Sequence, residues 1–197
     1  MSPVETRIAA IADKVRLAEG VNAGALVEML GSASYPMVVM VLSVLNMIPG
    51  PPGYGGTIAL AIMSAALARL LGKPLRIGGW IGRRMLPEKL LQRMIGQLQW
   101  LARLIGRLSR PRLEILTGPR SERLTAAFIF LVSLPMVVPI PFINAVPNTG
   151  IAVICVSRLN RDGLGVLIGG VIAVIGLGIA ITAIWAATML ARSMMGA

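Results

Sequence analysis

The chain has 197 residues, of which 56% are apolar and 14% charged, with a mean hydropathy of +0.80 and a formal charge of +11. A soluble domain with this balance would expose far more apolar surface than water tolerates. Composition therefore points to an all-α integral membrane protein in a single domain. Histidine is absent and Cys155 is the one cysteine, so an intrachain disulfide and a Cys/His metal site are excluded, and no cofactor is expected. Cys155 lies in an apolar run and reads as a packing residue.

Residues 1–34 form the first region. Glu5, Arg7, Asp13, Lys14, Arg16 and Glu19 are spread through a segment that a signal peptide would fill with an apolar core. Ile8, Ile11, Val15 and Ala18 share one helical face over 5–19. Asn22 is placed to cap a second short helix carrying Leu26, Met29 and Leu30, with Gly31 as its stop. Both helices are expected at the membrane surface.

Residues 35–71 are an apolar run broken at Pro49-Gly50-Pro51-Pro52-Gly53. Its legs, Tyr35–Ile48 and Thr57–Leu71, each reach about 21–22 Å. A crossing of the hydrocarbon needs about 30 Å, so a re-entrant helical hairpin fits better than a continuous span. Exposed backbone at depth must be buried in protein or meet water.

Residues 72–123 are a basic interfacial region. Over 69–123 the chain carries 13 Lys+Arg and 3 acidic residues, which places this belt on the cytoplasmic side. Within it, residues 90–108 put Leu90, Leu91, Met94, Ile95, Leu98, Leu101, Ile105 and Leu108 on one arc. Gln92, Arg93, Gln97, Arg103 and Arg107 take the other. That pattern reads as an amphipathic helix lying in the interface plane, with Trp80 and Trp100 at headgroup level. Anionic lipids explain the basic belt, and nucleic acid is not expected as a partner.

Residues 124–160 repeat the design of 35–71. The legs are Leu124–Val138 and Thr149–Leu159, with breaks at Pro139-Ile140-Pro141 and Pro147-Asn148. At an offset of 90 residues, Pro49 and Pro51 fall on Pro139 and Pro141, and Ser43 on Ser133. At an offset of 93, Ile58-Ala59 falls on Ile151-Ala152 and Ser64 on Ser157. Broken segments in corresponding halves point to a working site, and whether the halves are parallel or inverted stays open. Residues 163–191 are the transmembrane helix, uncharged from Gly163 to Leu190. Gly165-x-x-x-Gly169 and Ala180, Ala183, Ala187 and Ala191 mark close packing, either against the hairpins or in a homodimer.

Helices that restart near Thr57 and near Thr149 would present free amides and partial positive charge inside the membrane. Tyr54, Thr57, Asn144, Asn148 and Thr149 add polar groups at that depth. They either bind an anionic headgroup or only satisfy broken backbone. Arg69 and Arg158, near the cytoplasmic ends of the returning legs, either guide such a headgroup inward or snorkel and set topology. No carboxylate lies within 35–71 or 124–159, which argues against a cation-coupled antiporter. No catalytic constellation is present either, so an enzyme is not expected.

Several segments resemble the ExoD family of bacterial exopolysaccharide-synthesis proteins. They are Val21-Asn-Ala-Gly-Ala-Leu-Val-Glu-Met-Leu-Gly31, Asn46-Met-Ile-Pro-Gly-Pro-Pro-Gly53, Ser109-Arg-Pro-Arg-Leu113, Val138-Pro-Ile-Pro-Phe-Ile-Asn144 with Pro147, and Asn160-Arg-Asp-Gly163. The resemblance implies an inner-membrane protein linked to exopolysaccharide production and carries over no catalytic residue. An association with alkaline tolerance also attaches to the family name. Three expectations follow: binding or movement of a polyprenyl-phosphate-like lipid at the hairpin tips, a non-catalytic assembly partner in a polysaccharide machine, or an ion channel or transporter using carbonyl ligands.

Overall fold

The computed structural model describes residues 6, 8–10, 12, 13, 15, 21, 22, 25, 35–48, 53–73, 83, 85–108, 110–138 and 144–195. Pro49, Pro51, Pro139, Pro141 and Trp80 lie outside them. The helices are α1 (Tyr35–Met47), α2 (Tyr54–Leu70), α3 (Glu88–Leu108), α4 (Pro119–Ser133), α5 (Ala145–Leu159) and α6 (Gly163–Met195). Short 3-10 turns cover Glu114–Leu116 and Pro135–Val137. Strands β1 (Val21–Asn22) and β2 (Met85–Leu86) pair antiparallel, with Val21 opposite Leu86.

α1 is the centre of the molecule. It is apolar all round, and every residue from Pro36 to Asn46 is buried, as expected of a helix enclosed on all sides. α5 packs on α1, and α4 packs on α2. Exchanging the two halves of the chain maps one pair onto the other, so the sequence repeat is also a repeat of packing.

Both returning helices stop in the same way. At α2, Gly72 is left-handed (φ 66°); its N–H bonds the Arg69 carbonyl and the Lys73 N–H bonds that of Ala68. At α5, Arg161 is left-handed (φ 57°); its N–H bonds the Arg158 carbonyl and the Asp162 N–H bonds that of Ser157. Each is the paired-bond stop that closes a helix on a left-handed residue. This places Arg69-Leu70 on Arg158-Leu159.

The four short helices reach only about 20–25 Å, whereas α6 reaches about 50 Å. α6 is long and apolar enough to cross a membrane, with a mean hydropathy of 2.7 over its most apolar stretch. Its first half lies along α5 through small residues. A Cβ on Gly150 would come within 2.6 Å of the Gly169 carbonyl oxygen, one on Gly169 within 2.7 Å of the Ile154 nitrogen, and one on Gly176 within 2.6 Å of the Pro147 ring. Gly165-x-x-x-Gly169 is therefore spent inside the chain against α5, the alternative to a dimer seam. Beyond Gly176 the helix is mostly exposed.

Three boundaries differ from the sequence expectation. α4 begins at Pro119, in the charged belt, because proline suits a first helical turn whose amide has no partner anyway. α2 and α5 begin before Thr57 and Thr149, at Tyr54 and Ala145. α3 is amphipathic as read, and Leu91, Met94, Ile95 and Leu98 of its apolar arc are buried in the protein core. The same holds for Ile8, Ala12 and Val15 near the N-terminus. The Asn22 cap is present: the Ala25 N–H donates to Asn22 Oδ1 at 2.7 Å. Ile11, Ala18, Leu26, Met29, Leu30 and Gly31 lie outside the described residues.

Candidate functional site

The short helices bring their ends together at two levels. At one level stand the ends that carry charge. Arg69 at the close of α2 pairs with Glu122 in the first turn of α4. Arg158 at the close of α5 is buried. Its Nη1 donates to the Leu116 carbonyl at 2.8 Å, Thr125 Oγ1 at 3.0 Å and Ser121 Oγ at 3.1 Å. Its Nη2 donates to the carbonyls of Gly118 at 3.3 Å and Thr117 at 3.4 Å. Tyr35, at the start of α1, lies within electrostatic reach of Glu122, Arg158 and Arg69.

Just outside this level, Arg110–Leu113 docks on Asn160–Gly163. The Arg112 N–H donates to the Arg161 carbonyl at 3.2 Å, and the Gly163 N–H to the Arg112 carbonyl at 2.7 Å. Arg112 Nε also reaches Asp162 Oδ1 at 3.0 Å. A Cβ on Gly163 would meet Leu113 Cβ at 2.7 Å, so the contact requires glycine. Burial pushes the Asp162 carboxyl up, but the Arg112 guanidinium and backbone hydrogen bonds involving Gly165 and Arg110 hold it below the ordinary carboxylate range.

At the other level meet the ends that flank the proline breaks. Asn46 closes α1, Gly55 and Gly56 open α2, Met136 and Val137 follow α4, and Asn144 and Asn148 open α5. A Cβ on Gly55 would lie 2.7 Å from Asn144 Nδ2 and 3.2 Å from Asn46 Oδ1; one on Gly56 would lie 2.8 Å from the Val137 carbonyl oxygen. The two glycines thus let the halves of the chain touch.

Polar groups here are under-used. Asn144 Nδ2 donates to the Met136 carbonyl at 3.3 Å, and Asn148 Nδ2 to the Asn144 carbonyl at 2.7 Å. Both carboxamide oxygens remain buried without a partner among the described residues, as do Tyr54 Oη and both polar atoms of Asn46. Asn46 is 6% exposed and Asn148 0%. These bonds fix which end of each amide is free at Asn144 and Asn148. The free groups are acceptors there, while Asn46 offers both a donor and an acceptor.

The expected site residues therefore separate into two groups. Thr57, Asn144, Asn148 and Thr149 fall at the break level; Arg69 and Arg158 fall at the opposite one, engaged with protein. The threonine amides are not helix-start amides: the Thr57 N–H bonds the Gly53 carbonyl at 3.1 Å, and Thr149 is the fifth residue of α5. The amides without an intrahelical partner belong one turn earlier, to Tyr54–Gly56 and Ala145–Val146. Both threonine hydroxyls turn back on their own helices, to Gly53 and Ala145 carbonyls at 2.9 and 2.8 Å. Sequence reasoning missed Asn46 as a site residue. Its signal is that it is the lone carboxamide in the run Tyr35–Ile48.

Among curated proteins and among solved structures, no match to this chain is found. The family model described as "Exopolysaccharide synthesis, ExoD" matches residues 4–183. That span takes in both proline breaks, the docked Arg110–Leu113 and Asn160–Gly163 segments, and most of α6. The chain belongs to the ExoD family.

Proposed function

We propose that this protein is a non-enzymatic, multi-segment inner-membrane component of exopolysaccharide synthesis or export. On this reading it binds, and in moving it releases, a polyprenyl-phosphate-like lipid at the tips of two re-entrant hairpins. The observation that carries the reading is the set of buried carboxamide atoms, both polar atoms of Asn46 and the oxygens of Asn144 and Asn148, that lack a partner among the described residues beside the first turns of α2 and α5. An unpaired buried polar group costs about 1–3 kcal/mol, and three together in one place suit a site that a ligand completes.

The chemistry supports a headgroup with both kinds of hydrogen-bonding group. The first-turn amides of α2 and α5 suit phosphate oxygens. The free oxygens of Asn144 and Asn148 need donors, such as the hydroxyls of a sugar carried on the phosphate. With the charged level at the cytoplasmic headgroups, helices of about 20–25 Å place the tips inside a hydrocarbon layer about 30 Å thick. Both hairpins then enter from one side, and the repeat is parallel. Arg69 and Arg158 hold the frame in this reading.

The test is thermal stability of the detergent-purified protein with added polyprenyl phosphate, neutral polyprenol or bulk anionic lipid. Selective stabilisation by the phosphate is expected, since a ligand that prefers the native state raises its stability by mass action. Equal response to all three removes the carrier-lipid reading. A second reading, a structural partner in a polysaccharide machine or a homodimer, is favoured by the exposed apolar far half of α6, including Ile179, Ile181 and Trp185.

A further inference from the structure

α4 and α6 flank a groove of about 470 Å³ with Ile154 of α5 also in its lining. Its walls are Leu124 and Phe128 on one side and Val166, Gly170 and Val174 on the other. Gly170 contributes open space: a Cβ there would meet no atom within 4 Å. The groove follows α6 from Val166 to Ile175, about 14 Å along the helix. That is close to one leaflet's share of a hydrocarbon layer about 30 Å thick.

One end of this apolar trough is marked by charge. Arg120 precedes Leu124 and Phe128 by one and two turns on the same face of α4. Helical side chains lean toward the N-terminus, so Arg120 points toward the charged level. Whereas Arg69, Arg112 and Arg158 are committed to Glu122, Asp162 and the 116–118 carbonyls, Arg120 is exposed and has no hydrogen-bond or ion-pair partner among the described residues.

We propose that this groove holds one acyl chain of an anionic glycerophospholipid, with its headgroup phosphate against Arg120. The shape selects an amphiphile: an apolar trough of one leaflet's depth, with an uncommitted guanidinium one helical turn beyond Leu124 toward the charged level. Its depth matches the layer that one acyl chain occupies in a leaflet, while a long polyprenyl chain would overrun it. The groove is separate from the carboxamides at the proline breaks, so this site and the carrier-lipid reading stand or fall independently.

The experiment is native mass spectrometry of the full chain in detergent, titrated with dioleoyl phosphatidylglycerol or dioleoyl phosphatidylcholine. The unaltered protein is expected to prefer phosphatidylglycerol by about fivefold, the effect of one basic residue near an anionic headgroup. Arg120→Gln should bring the ratio to about one without changing phosphatidylcholine occupancy. Gly170→Leu fills the groove and improves helix propensity; it should lower occupancy by both lipids at unchanged helicity. Val174→Trp blocks the same groove from a second position, should Gly170→Leu fail to fold. Equal binding of the two lipids by the unaltered protein overturns the proposal. So does full lipid occupancy in a folded groove-filled variant, or loss of a dimer rather than of lipid.

Discussion

Arg158 and Asn46, at the two ends of the short-helix bundle, are held in different ways. At the charged end Arg158 is 8% exposed, and its two terminal nitrogens find three carbonyls and two hydroxyls, while its Nε, Tyr35 Oη, Ser157 Oγ and Asn160 Nδ2 have no partner among the described residues. At the other end Asn46 is as deeply buried and finds no partner among the described residues. A satisfied buried charge fixes one arrangement of the helices. A buried carboxamide without a partner weakens the fold. On the proposed reading Arg158 serves the frame and Asn46 the ligand.

The largest expected effect comes from removing the Arg158 guanidinium. Arg158→Met strands the Leu116–Gly118 carbonyls and should destabilise the protein by about 1–3 kcal/mol for each carbonyl left buried without a donor, read as a fall in detergent unfolding temperature. Arg158→Lys should recover only part of it, because an ammonium cannot span so many acceptors. A mild Arg158→Met phenotype would erase the distinction between the ends.

Overpacking the α5–α6 seam comes next. Gly150→Ala drives a methyl into the backbone of α6 at Gly169 and Ala173 and should cost about 1–3 kcal/mol in the same assay. Gly178→Ala on the same helix meets nothing within 4 Å and serves as the control that should unfold at or above the original temperature.

Asn46 should respond with the opposite sign. Asn46→Leu removes an unpaired buried amide at similar volume, so stability should rise by about 1 kcal/mol. Stabilisation by polyprenyl phosphate should fall in the same protein. If Asn46→Leu destabilises by as much as Arg158→Met, the break level is frame as well.

The smallest effects lie at the rim of the charged end. The Asp162 carboxyl titrates below its unfolded value of about 3.9. Its contribution is therefore present above that pH and lost as pH falls through the lower folded value. Asp162→Asn should flatten this acid-limb dependence of unfolding. Arg69→Gln breaks an ion pair whose arginine is 41% exposed, so a change of about 0.5 kcal/mol or less is expected by thermal unfolding.

Local patterns were readable in order along the chain. Apolar runs of helical length, the amphipathic arc of α3, the Asn22 cap, the uncharged stretch of α6 and the doubled proline break each depend on residues close in sequence. Periodicity, capping and hydrophobic length are local physics. The site was readable in half: Asn144 and Asn148 stand beside a break, and breaks need polar partners. Asn46 and Gly55 gain their meaning from Asn144, nearly a hundred residues away. Arg158 looked like a free basic residue because no local rule reveals the carbonyls of Leu116–Gly118 that enclose it. The level at which each charge sits, the exchange of partners that sets α1 on α5 and α2 on α4, and the spending of Gly169 inside the chain are all long-range contacts. Sequence alone determined an apolar, twice-broken helical chain of the ExoD family. Tertiary structure decided which of its buried polar groups are satisfied, because satisfaction depends on partners that only folding brings near.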